Sequence, residues 1–237
     1  MKVVILTTQT THHTYFVREL GKEFEVNAVF VERTVNKAVF DTHHSFEDDR
    51  DIYEKAVFFD NKEPRLENEC QVIEVETINN HKSVNRLKEF KPEVVISFGA
   101  GKVKQEVIDV CPEGIINLHG GNPEEYRGLD SHLWAIYHGD YKNLIVTLHR
   151  LNEELDDGEI ILQSPIKLDR DMKLHQLRRL NTEICAELTL SGLDMFKRHG
   201  RFISRPQLKQ GRYYSFMPAA LKEICQRRFE RYTETLC

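Results

Sequence analysis

An α/β fold with a mostly parallel sheet is predicted by three features of the sequence. Short apolar runs alternate with helical stretches through the first half of the chain. The runs are continuous rather than alternating, as strands covered on both faces are. The strand–helix–strand spacing suits right-handed crossovers between parallel strands.

Val3–Leu6 reads as the first buried strand. Thr14–Phe24 places Phe16, Leu20 and Phe24 on one helix face. Val26–Val31 is the second strand, and Asp51–Phe59 a short helix inside a long polar stretch. Val72–Val75 is a strand, Ser83–Phe90 a helix ended by Lys91-Pro92, and Val94–Phe98 a buried strand. A helix over Val103–Val110 stops at Cys111-Pro112, and Ile115–His119 is the next strand. The pattern then changes. Gly120–Leu129 reads as a loop, and Asp130 is placed to N-cap a helix over Ser131–His138. Leu144–Leu151 and Glu159–Gln163 flank Asp156-Asp157-Gly158, the signature of antiparallel strands joined by a turn. Leu174, Leu177, Leu180, Ile184, Leu188 and Leu193 fall at three- and four-residue steps, a long amphipathic helix ending at Gly200. The remainder predicts a hairpin over Arg201–Phe216 and a last helix from about Pro218. Two units follow: a catalytic domain over 1–200 and a small basic appendage over 201–237.

The 237 residues carry 33 Lys and Arg against 38 Asp and Glu, which excludes a bulk polycation that coats nucleic acid. The balance is uneven: residues 201–237 hold 8 basic and 3 acidic side chains. That tail reads as a solvated helix face or a dimer contact, so a homodimer is compatible with it. The N-terminal apolar run is too short for a signal peptide, and no run is long enough to span a membrane, so a cytoplasmic protein without membrane insertion is expected. Five cysteines contain no C-x-x-C pair and read as idle or buried thiols.

Few motifs carry chemistry. Gly99-Ala-Gly101 follows a strand and precedes a helix, but Lys104 stands where a dinucleotide fingerprint needs its third glycine. A tight turn with close backbone approach is the better reading. His12-His13 and His43-His44 lack metal-ligand spacing, and no metal site is expected. His12 and His13 follow the first strand, near the carboxyl edge of the sheet where open α/β folds bind ligands. Asn117 and His119 are two apart on a strand and share one face at its carboxyl end. An amide donor beside an imidazole can hold an oxyanion and move a proton. An acid at the Asp-Gly turn can orient that imidazole and favour its charged form. Without further context, such a trio equally describes a satisfied core histidine.

The motifs N-x-H at Asn117–His119, P-x-x-Y-R-G at Pro123–Gly128 and L-D-x-G-x-I-I-x-Q at Leu155–Gln163 resemble those of the folate-dependent formyltransferases. That family includes enzymes acting on methionyl-tRNA, glycinamide ribonucleotide and nucleotide-linked sugars. The resemblance covers about Val94–Gln163 and implies a Rossmann-like domain. It implies N10-formyltetrahydrofolate as co-substrate, with Asn117, His119 and Asp156 catalytic. It also implies that Phe98, Gly99, Lys102 and Val103 form one wall of the folate pocket and Leu151, Asn152, Glu153 and Leu155 the other. His12, His13, Tyr126 and Arg127 are expected on the acceptor side.

The chain departs from the family in ways that bear on the acceptor. Gly120-Gly121 replaces the usual Pro and Ser after N-x-H, and TTQTTHH stands where the glycinamide ribonucleotide enzyme has a glycine-rich loop. The tail after the long helix is too short for the barrel that the tRNA enzyme carries. The sequence therefore looks most like the short sugar N-formyltransferases. A nucleotide-linked amino sugar is the expected acceptor, with no specific nucleic acid. Another amine, including methionyl-tRNA, or a non-enzymatic folate- or nucleotide-binding role are the alternatives. The stretch Arg33–Asn61 is expected to help shape the acceptor pocket.

Overall fold

A computed structural model describes residues 1–34 and 37–237. Its strands are β1 (Val3–Thr7), β2 (Val26–Glu32), β3 (Val72–Val75), β4 (Val94–Phe98), β5 (Ile115–His119), β6 (Tyr126–Gly128), β7 (Ile145–Arg150), β8 (Ile160–Pro165) and β9 (Arg212–Tyr214). The helices are α1 (Thr11–Gly21), α2 (Ser45–Phe59), α3 (His81–Phe90), α4 (Gln105–Ile108), α5 (Ser131–Tyr137), α6 (Leu177–His199) and α7 (Ala219–Glu234). The main sheet has the order β3-β2-β1-β4-β5-β7-β8. Its first five strands are parallel, and β7 and β8 add an antiparallel edge.

The continuous apolar strands are covered on both sides, as predicted. Val3 and Ile5 point into one core with Phe16, Leu20 and the α6 residues Cys185 and Leu193. Val4 and Leu6 point into a second core with Val84, Leu87 and Val107. The chain runs outward from β1 to β3 and returns on the other side as β4. This reversal opens a crevice at the carboxyl ends of β1 and β4, where such sheets bind ligands. Thr7 closes the base of the crevice by donating its hydroxyl to the Phe98 carbonyl at 2.6 Å.

Several predicted elements are corrected. α1 begins at Thr11 because the Thr10 hydroxyl caps it, three residues ahead of the apolar periodicity. α2 begins at Ser45, where His44 and Glu47 form a reciprocal capping box. α4 is a single turn, because Val103 is drawn into a cavity wall instead. Asp130 precedes α5 but makes no cap; it adopts φ 51 and its carboxylate accepts from the Met217 amide at 2.8 Å. The hairpin expected over Arg201–Phe216 does not form. β9 pairs in parallel with β6, a strand inside the expected loop Gly120–Leu129, and Arg205 bridges to Ile160. Phe202, Met217, Cys225 and Phe229 are fully or nearly buried in the larger core. Residues 201–237 therefore pack closely against residues 1–200.

Candidate active site

The crevice is a cavity of about 630 Å³. It is lined by Ser97–Val103, the end of β4 and the turn that follows, and by Leu151–Leu155, after β7. Phe98, Gly99, Lys102, Val103, Leu151, Asn152, Glu153 and Leu155 all line it, with Asn117, His119 and Asp156. Also lining it are His12 and His13 at the start of α1 (which pack against Phe98), Phe46 and Arg50 of α2, and Arg178 and Asn181 of α6. Phe46 and Arg50 come from the stretch Arg33–Asn61, in which Val35 and Asn36 lie outside the described residues.

Gly99 has φ +76, and a Cβ there would run into the His13 ring. This glycine lets the turn after β4 lie directly on His13. Gly99→Ala is expected to destabilise the fold by roughly 1–3 kcal/mol and to weaken folate binding at the same turn. Thermal unfolding and titration with 5-formyltetrahydrofolate test this; a stable, binding-competent variant would mean the turn tolerates a side chain.

His13 donates Nδ1–H to the Thr8 carbonyl at 2.9 Å, and burial pushes its pKa down to about 3. Burial, with His13 and Arg178 beside it, lowers His12 as well. Both imidazoles are therefore neutral and face the cavity as uncharged polar groups.

His119 is 5% exposed, and its two ring nitrogens face two acceptors. Nε2 lies 2.8 Å from the Tyr126 carbonyl and Nδ1 3.4 Å from Asp156 Oδ2. Gly121 leaves room for the ring, since a Cβ there would approach Nε2 to 2.6 Å. Asp156 adopts φ 52 and accepts the Gly128 amide at 2.7 Å. Burial pushes its carboxyl up, but the neighbouring His119 and the Gly128 N–H outweigh burial. The group stays well below the usual carboxylate range.

His149 is a residue that sequence reasoning missed. It pairs directly opposite Asn117 across the β5/β7 ladder. Its Nδ1 lies 2.7 Å from the Arg150 carbonyl, so Nε2 offers a lone pair to Asn117 Nδ2 at 3.1 Å. That bond fixes the Asn117 carboxamide and leaves one of its two N–H groups free for the cavity. His149 Nε2 also lies 3.7 Å from Asp156 Oδ1, so the acid sits between two imidazoles.

Tyr126 and Arg127, expected at the acceptor, do not line the cavity. The Tyr126 carbonyl anchors His119, and its ring stacks on Tyr214 with the hydroxyl on Asp140 at 3.1 Å. Arg127 donates Nε–H to the Leu155 carbonyl at 2.8 Å and a second N–H to the same oxygen. Gly128 completes the set with its bond to Asp156. Gln163, at the end of the third motif, donates to Thr147 Oγ1, which in turn donates to the Gly121 carbonyl at 2.7 Å. The three sequence motifs therefore form one clamp that holds His119 and Asp156 in register.

Known proteins share this fold. The family model described as formyl transferase matches residues 1–185. The chain belongs to the formyl transferase family. A methionyl-tRNA formyltransferase of Caldanaerobacter subterraneus subsp. tengcongensis is 31% identical over 176 residues, covering 72% of this chain and 54% of that protein. The chain thus spans about half the length of that curated relative. Among solved structures, phosphoribosylglycinamide formyltransferase from Bacillus halodurans superposes with a TM-score of 0.61 at 17% identity, covering 85% of this chain and 97% of that one. The formyltransferase PseJ from Anoxybacillus kamchatkensis, in complex with UDP-4,6-dideoxy-4-formamido-L-AltNAc and tetrahydrofolate, superposes with a TM-score of 0.54 at 17% identity, covering 91% and 86%. At these identities the two structures share the fold. Among the described residues no cluster of His, Cys, Asp or Glu is arranged to hold a metal ion, and no helix is long and apolar enough to cross a membrane.

Proposed function

We propose that the chain transfers a formyl group from N10-formyltetrahydrofolate to the amine of a nucleotide-linked amino sugar, such as a dTDP-4-amino-4,6-dideoxyhexose. The observation that carries the reading is the Asn117–His119–Asp156 cluster, its His and Asp buried, on the lining of one cavity. The side formed by 97–103 and 151–155 is the folate side, with apolar Phe98, Val103, Leu151 and Leu155 against the pterin and backbone groups for its polar edge. The part of the cavity lined by His12, His13 and the α2 and α6 residues takes the acceptor. His12 and His13, neutral and facing the cavity, suit hydroxyls better than a polyanion. The PseJ complex, with a formamido sugar nucleotide and tetrahydrofolate on the same fold, supports this choice.

The reaction needs a neutral amine to attack the formyl carbon. The carbon becomes tetrahedral and negative charge develops on its oxygen. The free Asn117 N–H is a preorganised donor to that oxygen, and a protonated His119, whose two N–H groups are held by Tyr126 and Asp156, places positive charge beside it. Asp156 orients His119 and balances its charge. The amine proton is passed on as the bond to N10 of the folate breaks, which leaves tetrahydrofolate and the formamido sugar.

Incubating the protein with formyl-folate and a panel of nucleotide-linked 3-amino and 4-amino sugars should yield one product heavier by one formyl group, read by mass spectrometry. No product from any member of the panel would reject the sugar acceptor. The methionyl-tRNA formyltransferases among the relatives favour a second reading. It makes a different prediction: a tRNA that neutralises six to ten phosphates loses about 10³–10⁵ in affinity between 50 and 200 mM salt. Nucleotide-sugar binding should change little over that range, so a steep salt slope on charged tRNA would replace the sugar with tRNA.

A further inference from the structure

Asn181 is a cavity residue for which neither the motifs nor the core provides a purpose. Leu174, Leu177, Arg178 and Asn181 follow helical spacing from the turn just before α6 into its first turns, and all four line the cavity. Leu174 and Leu177 belong to the larger core, and Arg178 donates to Glu54 and Asp51. Asn181 is only 8% exposed, yet its Oδ1 has no hydrogen-bond partner. Among the described residues two other buried side-chain atoms share that condition, Arg18 Nε and Gln207 Oε1, and neither residue lines the cavity. Arg18 Nε has the Glu19 carboxylate 3.5 Å away in any case. A buried amide oxygen left unpaired is costly, and such groups nearly always have partners.

The surroundings show where the missing partner must lie. A Cβ placed on Gly120, the residue after His119, would be 3.2 Å from Asn181 Oδ1 and 3.4 Å from His132 Cε1. The oxygen therefore reaches the chain at the reacting end of the cavity. His132 cannot satisfy it. Its Nε2–H is given to the Ile145 carbonyl at 2.9 Å, and burial keeps the ring neutral with a pKa of about 4, so no second N–H exists. Gly120 has no side chain to offer, and even a Cβ there would crowd the amide rather than pair with it.

We infer that Asn181 is a positioning residue for the acceptor: its Oδ1 receives one N–H of the attacking amine and turns the nitrogen lone pair toward the formyl carbon held at Asn117 and His119. The inference rests on the formyl-transfer reading above. A neutral primary amine has two N–H donors and one lone pair, so binding a donor on one side directs the lone pair to the other. The residue type fits that task. A carboxylate here would stabilise the ammonium form, which has no lone pair, whereas an amide binds the neutral amine without that penalty.

The test compares Asn181→Leu, Asn181→Ala and Asn181→Asp with the parent protein. Because the oxygen has no partner in the unliganded fold, the Leu and Ala variants should unfold at the same or a higher temperature, and 5-formyltetrahydrofolate should bind all variants within about twofold of the parent. Formyl transfer to the amino sugar found in the panel, and to hydroxylamine as a small neutral amine, should fall by about tenfold or more in kcat/KM for Leu and Ala. Asn181→Asp should lose rate near neutral pH and recover it as the pH rises and the bound amine is deprotonated. A fall of several degrees in the unfolding temperature of both Leu and Ala would overturn the inference, since the amide would then be structural. Parent-like rates in all three variants would overturn it equally. If no panel sugar is formylated, the sugar reading fails while hydroxylamine still reports on Asn181. If the parent formylates neither, the formyl-transfer reading fails with it.

Discussion

Replacing His119 by Ala or Asn should lower turnover by about 10²–10³ or more, through loss of the positive charge beside the developing oxyanion. The ring is held at both nitrogens, by the Tyr126 carbonyl at 2.8 Å and by Asp156 at 3.4 Å, so no mobile neighbour can take its place. Folate binding should persist in both variants, because the segments 98–103 and 151–155 do not depend on the imidazole for their position. Some stability will be lost, since the buried Tyr126 carbonyl is left without its donor, at a cost of roughly 1–3 kcal/mol. Titration with 5-formyltetrahydrofolate and thermal unfolding separate this cost from the chemical one. Near-parental turnover in a folded, folate-binding His119→Ala protein would move the reaction away from this cluster.

Much of this arrangement could be read from the sequence, for reasons that differ from element to element. The strands at 94–98 and 115–119 match their apolar runs because burial on both faces demands continuous hydrophobicity. The capping box of α2 was hidden because its cap is His44, and the familiar signature has Ser or Thr at that place. The hairpin over Arg201–Phe216 was inferred from local pattern, whereas Arg212–Tyr214 finds its partner at Tyr126–Gly128, far away in sequence. Long-range pairing leaves no local trace. His149 escaped notice for the same reason: only the β5/β7 register sets it opposite Asn117, although its position in the alternating run before Asp156 was a usable hint. Tyr126 and Arg127 were read as ligand contacts because they are polar residues in a motif. The structure gives them the work of holding the Leu155–Asp156 turn and His119.

Asp156→Asn should lower turnover by about two to four orders of magnitude, while Asp157→Asn should leave chemistry nearly intact. Asp156 lies in the left-handed region, at φ 52, and that turn aims its carboxylate into the site. Oδ2 meets His119 and the Gly128 amide, and Oδ1 lies near His149. Asp157 points outward, with Oδ1 accepting from Gln210 Nε2 at 3.0 Å and a side chain 32% exposed. An amide at 156 keeps a similar shape but cannot balance an imidazolium between its two neighbours. The substitution also has a signature in stability. The folded Asp156 carboxyl is held below its ordinary value, so its contribution is fully present above the unfolded pKa of about 3.9 and is lost as pH falls through the lower folded value. The parent should therefore be more stable than Asp156→Asn near neutrality, with the gap narrowing as the solution is acidified. Asp157→Asn should change stability by less than about 1 kcal/mol, as surface substitutions usually do. Assaying both variants side by side, with unfolding followed from pH 7 downward, decides the matter. Equal losses of turnover, or a larger loss at Asp157, would mean that the acid serving His119 comes from the other residue of the pair.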